Sequence, residues 1–356
     1  MKTDMSTGKP DISVCIANYN GMTVINDCLQ SILAQSSRLK IEILVHDDCS
    51  TDGSVEYVRA QYPMVKLIQS RENVGFCVSN NRMADAATSE YLLFLNNDAA
   101  LFPDALETLY RESQQHGHKT ILGLPQYDAE TKALIDMGSR FDIFLNPVPN
   151  KNPGQTSVGM IIGACLWVPR SIWTDLGGFP DWFHTLAEDM YLCCFGKLNG
   201  NGVKVLTRSG FYHWVGKSIG GGKVAKNKLS TSLNRRRMSE RNKTYVMFLC
   251  YPFPLFQIVF SLHIHLLILE GICLSIIKRD IRLFVDIYLF TILSLWKNRD
   301  MLVRLRRKHQ MRRAVSIASF FKPFDLIPYK LKMLLRYGMP EIDSHRRKAE
   351  EVKNAD

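Results

Sequence analysis

The segment Leu92 to Asp98 drives four apolar residues, Leu-Leu-Phe-Leu, straight into Asn96-Asn97-Asp98. An apolar run of that length reads as a buried strand, and a carboxylate at its end stands at the rim of a sheet, where open α/β folds bind ligands. Asn and Asp also hydrogen-bond their own backbone, so taken alone the cluster is more simply an Asx turn. It is not alone. Asn18-Tyr19-Asn20-Gly21 closes the apolar run from Ile12, and His46-Asp47-Asp48 closes the run from Ile41. An acidic pair, Glu188-Asp189, and His213 come later. Asp98 with His213 could hold a divalent cation, because carboxylate suits Mg²⁺ or Mn²⁺ and imidazole is tolerated by Mn²⁺. A lone histidine is more often structural, and an acidic pair is more often a solvated helix face.

The elements that must position these groups alternate. Strands are expected over 12–17, 41–45, 65–68 and 91–95, with helical spacing over 24–33, from 54 to 62, over 78–87 and over 105–115; Ser50 or Thr51 is a plausible cap for the second helix. This alternation predicts a parallel, Rossmann-like sheet covered on both faces, with all three polar clusters at C-terminal strand ends. Residues 126–157 are rich in turn formers and read as a variable loop region. Order returns over 158–168 and 172–178, then in a helix around 184–198 and a last strand at 203–206.

The net charge of +11 is uneven: residues 1–210 hold 17 Lys/Arg against 23 Asp/Glu, and residues 211–356 hold 28 against 11. Hydrophobic content of 46% excludes a mostly disordered chain. Nine cysteines without a Cys-x-x-Cys pair fit buried, reduced thiols in a cytoplasmic protein. The polar N-terminus lacks the apolar core of a secretory signal, so the enzyme-like part is expected to face the cytosol. Residues 217–243, with three consecutive glycines and Arg235-Arg236-Arg237, read as a basic mobile loop. Beyond it, residues 255–277 are apolar enough to span a bilayer but carry His263, His265 and Glu270, and a second apolar run covers 281–296. Basic residues flank both runs, which favours amphipathic helices lying in the cytoplasmic leaflet on anionic headgroups; a buried helical subdomain is the competing reading. The positive charge sits beside apolar helices and not on an aromatic-bearing polar platform, which argues against nucleic acid.

The ordered set Ile12-Ser13-Val14-Cys15-Ile16-Ala17-Asn18-Tyr19-Asn20, Asp47-Asp48-Cys49-Ser50-Thr51-Asp52-Gly53-Ser54, Asn73-Val74-Gly75-Phe76, Leu95-Asn96-Asn97-Asp98 and Glu188-Asp189 resembles a family 2 glycosyltransferase of the GT-A fold. In style it is similar to the bacterial rhamnosyltransferase-like members, and the resemblance covers residues 11–218. It implies an α/β class with a Rossmann-like mixed sheet flanked by helices. The chain then divides into a tail (1–10), a GT-A catalytic domain (11–218), a basic mobile loop (219–243) and a basic, amphipathic, membrane-associating helical region (244–356).

The resemblance also implies roles. Ala17, Asn18, Tyr19, Asn20 and Asp48 would hold the donor nucleotide, Asp48 by accepting from a ring N–H, with Asn73 and Gly75 in the same set. Asn97 would sit near the ribose, and Asp98, with His213, would bind a Mg²⁺ or Mn²⁺ ion that bridges the donor phosphates. Asn96 stands where the family's motif often has its first Asp. Asp189 would be the general base, because an alcohol is a poor nucleophile at neutral pH; Glu188 and Trp182 would face the acceptor. Asp47 and Asp52 serve capping and turns at least as readily as ligand contact. Tyr191 and Phe195 replace a second Asp and a later Arg of many relatives, and Ser218 with the glycines after His213 resembles a loop closing over the donor. The implied activity is inverting, metal-dependent transfer of a hexosyl or deoxyhexosyl group from a nucleotide-diphosphate sugar to a lipid-linked saccharide, at the cytoplasmic face of the cell membrane, in surface polysaccharide synthesis. A sugar-nucleotide synthesising enzyme would want a glycine-rich, basic loop after the first strand, which 17–21 is not. A non-catalytic membrane-bound partner in such an assembly is the remaining alternative.

Overall fold

The computed structural model of the protein describes residues 8–115, 117–214, 221–225 and 228–343. Among them, seven strands form the central sheet: β1 (Ile12–Asn18), β2 (Ile41–Asp47), β3 (Lys66–Gln69), β4 (Tyr91–Asn96), β5 (Thr120–Gly123), β6 (Cys165–Pro169) and β7 (Gly202–Val205). Their order is β7-β5-β6-β4-β1-β2-β3. β1 runs parallel to β2 and β4, as β7 does to β5, while β6 is antiparallel to both of its neighbours. The sheet is therefore mixed. Strands buried on both faces need continuous apolar runs instead of alternation, and β4, buried from Tyr91 to Leu95, shows why that run is so uniform.

Six helices cover the sheet: α1 (Ile25–Leu33), α2 (Ser54–Gln61), α3 (Phe76–Ala86), α4 (Ala105–Gln115), α5 (Arg170–Leu176) and α6 (Glu188–Leu198). In α1, Ile25, Cys28, Leu29 and Ile32 recur at helical spacing and are all buried. Register aligns the rim: Asn18 sits opposite Asp47, and Ala17 opposite Asn96. The expected convergence of polar strand ends follows directly from this pairing.

Four expectations need correction. Ser50 and Thr51 do not cap α2; Gly53, at φ 82°, takes that position. The presumed loop region 126–157 contains the short strands Gln126–Asp128, Leu134–Asp136, Arg140–Asp142 and Pro147–Val148. The helix expected from 184 begins at Glu188. The basic loop expected at 219–243 holds, among its described residues, the strands Gly221–Ala225 and Lys228–Ser232 followed by α7 (Leu233–Cys250), whose first turn is capped by Ser232 Oγ accepting from Arg235 N. Arg235, Arg236 and Arg237 thus stand on a helix.

A boundary at 244 also cuts through α7. Tyr245, Val246, Met247, Leu249 and Cys250 share one buried cluster with Cys15, Phe94 and Met190–Phe195 of the sheet domain. The remaining helices are α8 (Leu255–Lys278), α9 (Ile281–Leu283) leading into a π-helical stretch Phe284–Leu289, α10 (Phe290–Lys297), α11 (Arg299–Met311), α12 (Ile317–Phe321) and α13 (Tyr329–Tyr337). Among the described residues α8 is the one helix long and apolar enough to cross a membrane by length and composition. The nine cysteines are all unpaired, and seven are buried.

Candidate active site

Asn18 ties the rim together. Its Nδ2 donates to Asp47 Oδ1 at 3.0 Å and to Ser54 Oγ at 2.9 Å, and its Oδ1 accepts from Asn97 Nδ2 at 2.9 Å. One amide therefore joins the ends of β1, β2 and β4. Both side chains are buried, and Asn18, with its amide committed on both ends, fixes the rim before it could contact a ligand, while Asn97 gives Nδ2 to Asn18. Gly21 is needed beside them, since a Cβ there would lie 2.2 Å from Asn18 Oδ1. Asp47 also accepts from Ser50 N and Oγ, and Asp52 accepts from Met22 N and Ser54 N, which is turn work. Tyr19 is half exposed at this edge, and Asn20 folds back at φ 49°, its Oδ1 accepting from Thr51 N.

Asp48 is buried, and both of its oxygens receive backbone donors: Val74 N at 2.7 Å and Gly75 N at 2.9 Å. This grip places the 73–75 loop, with exposed Asn73, over the end of β2. Gly75 has φ 88°, and a Cβ on it would meet His184 Nδ1 at 2.2 Å, so both backbone conformation and contact demand glycine.

The small sheet beside the rim brings Asp98 and His213 together. The strand Phe211–His213 pairs antiparallel with Ala99–Leu101, setting His213 opposite Ala99, and parallel with Gln126–Asp128. His213 Nε2 then lies 3.1 Å from Asp98 Oδ1, with Asp98 fully buried, and Gln126 Nε2 lies 2.8 Å from His213 Nδ1. A separation of about 3 Å is the edge of an octahedron built on bonds of 2.0–2.1 Å, so the two atoms fit adjacent corners of one cation's shell. Among the described residues no third His, Cys, Asp or Glu joins them. A cation here would take its other ligands from phosphate and water. Gln126 lay in the stretch read as loop, and nothing in its local sequence marks it.

The acidic pair opens α6. Gly163 N donates to Asp189 Oδ2 at 2.9 Å and Met190 N to Oδ1 at 2.7 Å, while Ala164, the next residue, accepts from Asn96 N at 3.1 Å. Two backbone steps thus separate the pair from the 96–98 rim. Burial, and then the neighbouring charge of Asp189, push the Glu188 carboxyl well up; burial raises Asp189 too, against the two N–H donors that favour its ionised form. Of the two, Glu188 is pushed up by both burial and its neighbour's charge, while Asp189 alone has backbone N–H donors on both oxygens to favour its ionised form. Glu188 Oε2 is buried without a hydrogen-bond partner. Arg235 of α7, half buried, lies within electrostatic reach of both carboxyls and favours their charged forms.

The pair is delivered by a strained segment. His184 (φ 64°), Leu186 (φ 69°) and Ala187 (φ 65°) are left-handed non-glycine residues, and Thr185 N donates to Phe183 O at 2.7 Å across a γ-turn centred on His184. Fully buried Asn242, from α7, holds this segment: its Nδ2 faces Phe183 O at 3.1 Å, Thr185 O at 2.9 Å and Leu186 O at 2.7 Å. Cys77 N donates to His184 O, tying the segment to the start of α3 beside the 73–75 loop as well. Asn242 escaped the sequence reading because it fell in the basic stretch.

Trp182 packs edge-on against Phe183 and Tyr245, half buried at the start of the same segment. Tyr191 and Phe195 face away from the rim: Tyr191 Oη lies 2.8 Å from His309 Nε2, and the Phe195 ring stacks on His309 at 3.7 Å. They serve the seam with α11. Ser218 lies outside the described residues.

Residues 13–177 match the family model of Glycosyl transferase family 2. The chain is 34% identical over 107 residues to the putative teichuronic acid biosynthesis glycosyltransferase TuaG of Bacillus subtilis, 29% of this chain and 42% of that protein. Matches to the first curated relatives span between 30% and 44% of those relatives' own length. Among solved structures, S. aureus TarS 1–349 in complex with UDP-GlcNAc superposes with a TM-score of 0.56 at 17% identity, covering 88% of this chain and 90% of that one. GalNAc-T7 with UDP, GalNAc and Mn²⁺ superposes with a TM-score of 0.54 at 14% identity, over 70% and 49%. The fold is the GT-A arrangement of a mixed sheet flanked by helices.

Proposed function

We propose that this chain, which matches the family 2 glycosyl transferase model over 13–177, is an inverting, metal-dependent glycosyltransferase. It moves a hexosyl or deoxyhexosyl group from a nucleotide-diphosphate donor to a lipid-linked saccharide, in surface polysaccharide synthesis at the cytoplasmic face of the cell membrane. The observation that carries this reading is the Asp189 carboxylate, held by two backbone N–H groups and linked through Gly163-Ala164 to the rim that bears Asp98. Relatives named for polysaccharide pathways, TuaG among them, support the setting.

In this reading Tyr19, Asn20 and the Asn73–Gly75 loop frame the nucleotide, and Asp48 shapes that loop while offering its remaining lone pairs to the base. A divalent cation held by Asp98 and His213 would supply positive charge to the leaving diphosphate. Asp189 takes the proton of the acceptor hydroxyl as its oxygen bonds to the anomeric carbon and the bond to the diphosphate breaks on the opposite face. Configuration inverts. Protonated Glu188 donates towards the acceptor, with Trp182 as an apolar wall beside it.

Asp189→Asn should lower transfer by about 10²- to 10⁴-fold, the usual contribution of a general base, with donor binding within twofold of wild type. Normal turnover by that variant would refute the mechanism. A panel of UDP, dTDP and GDP sugars assayed for Mn²⁺-dependent binding identifies the donor, and includes the deoxyhexoses to which a rhamnosyltransferase-like style points. Indifference to every donor would overturn the assignment.

A further inference from the structure

The two sides of α8 differ. Val259, His263, Leu267, Gly271 and Leu274 are buried along one side. The polar members of that side are committed inward: His263 Nε2 lies 3.0 Å from Thr244 Oγ1, and Glu270 meets Arg236, Tyr288 Oη at 3.1 Å and Lys330 Nζ at 2.8 Å. Lys330 in turn reaches Glu240 at 2.6 Å, and Glu240 pairs with buried Lys243. On the other side Ile258, Leu262, Leu269, Ile272 and Ile276 are 44–69% exposed. That spacing forms an apolar stripe along the helix, interrupted between Leu262 and Leu269 by exposed His265.

A helix crossing a bilayer alone is apolar all round, because lipid offers no partner for a carboxylate or an imidazole. α8 instead locks His263 and Glu270 into the body and turns a mainly apolar face outward, where exposed His265 has its Nδ1 2.7 Å from Ser261 O. Exposed Lys278 and Arg279 follow that face directly, with Ile281 67% exposed just beyond them. Trp296, 68% exposed, has the Arg299 guanidinium 5.0 Å from its ring. An apolar stripe with a basic end is the mark of a helix lying in a leaflet, and exposed Trp296 on α10 suits the same interface. A two-fold pairing with a second copy would set like charges of this basic half together.

We propose that the outer face of α8 lies in the plane of a membrane, sunk into one leaflet of anionic phospholipid. The docking stands on α8 itself; its use in meeting a lipid-linked acceptor rests on the functional reading above.

Flotation of the full chain with vesicles of 30% phosphatidylglycerol in phosphatidylcholine, against pure phosphatidylcholine, tests it. Binding to the anionic vesicles should exceed that to neutral ones by about tenfold or more, since each basic residue near the surface contributes roughly fivefold. L269E/I276E should lose at least about tenfold of vesicle binding, and K278E/R279E about fivefold per residue, with melting temperature and nucleotide-sugar binding in solution unchanged. A nitroxide on exposed Cys273, in a Cys49→Ser background, should lie about 5–10 Å into the headgroup and acyl boundary. Full binding by L269E/I276E, a label in water, or a label at the bilayer midplane would overturn the proposal. So would a wild-type dimer that L269E/I276E splits without any vesicle binding, which would make a second copy the occupant. A chain that floats yet binds no nucleotide sugar supports the docking and sinks the functional reading instead.

Discussion

Replacing Asn242 with Asp keeps the size of the side chain and removes both hydrogens that it shares among Phe183 O, Thr185 O and Leu186 O. Two lost N–H bonds are worth about 1 kcal/mol each, and carbonyls left buried without a donor add about 1–3 kcal/mol more. Arg241 Nη2, 3.2 Å from Phe183 O, can relieve one of the three. The segment they restrain stores strain of order 1–3 kcal/mol at each left-handed residue, His184, Leu186 and Ala187. Freed of Asn242, it has every reason to relax. If about 3 kcal/mol of relaxation must be undone each time Asp189 is brought to its working position, kcat falls roughly 10²-fold. The donor-side contacts of Asp48 and Asn18 are untouched, so donor KM should stay within about twofold of wild type, the pattern of an interaction needed only in the transition state. Asn242→Asp and Asn242→Ala, assayed for kcat, KM and melting temperature, decide the matter. Wild-type kcat in a folded Asn242→Asp protein would refute this chain of reasoning.

Glu188 binds a proton in the folded chain at pH values where the unfolded chain has released it, so stability should fall as pH rises from its ordinary value of 4.5 through its raised one. Urea titrations across that range should show the slope in wild type and its loss in Glu188→Gln. Because burial also raises Asp189, the acidic limb of kcat/KM should lie above the ordinary aspartate value of 3.8, and a limb at that value would contradict the assignment of the base. For His213 Nε2 to bind a cation, Nδ1 must carry the proton and the Gln126 amide must turn so that its oxygen accepts it. Gln126→Leu removes that acceptor and should weaken Mn²⁺ binding about 10- to 100-fold, read from free Mn²⁺ by electron paramagnetic resonance; unchanged affinity would leave Gln126 no part in the site. Gly75→Ala forces a Cβ to within 2.2 Å of His184 Nδ1 at φ 88° and should lower stability by about 2–4 kcal/mol, visible in the denaturant midpoint.

The strand ends were legible because a strand buried on both faces needs a largely apolar run: β4 is unbroken from Tyr91 to Leu95, and β1 and β2 are each interrupted once, by Ser13 and Glu42. Parallel register then placed Asn18, Asp47 and Asn96 on one rim without further information. Less legible was what those side chains do there: Asn18 and Asp48 spend most of their hydrogen bonds on the protein, which only three-dimensional neighbours disclose. The start of α6 was missed because His184, Leu186 and Ala187 adopt conformations that no propensity assigns to them. Gln126 and Asn242 were hidden by distance along the chain, since their partners lie 87 residues ahead in one case and more than 50 behind in the other. The inward turn of Glu270 and His263 was hidden likewise, because residues that interrupt an apolar run look alike whether they face lipid, water or a buried lysine.

The seam between α6 and α11 bears on how the protein is made. Tyr191 and Phe195 are covered by His309, and Ala314 N donates to Leu198 O at 2.9 Å, so the outer side of the helix that carries the acidic pair waits for residues more than a hundred positions later. At synthesis rates of roughly 5–20 residues per second, that side stays bare for on the order of ten seconds after it leaves the ribosome. Throughout that interval the Tyr191 and Phe195 rings lack their His309 cover, even once α7 has packed on the same helix. A stop codon placed anywhere before α11 should therefore yield an aggregating fragment, not a smaller enzyme.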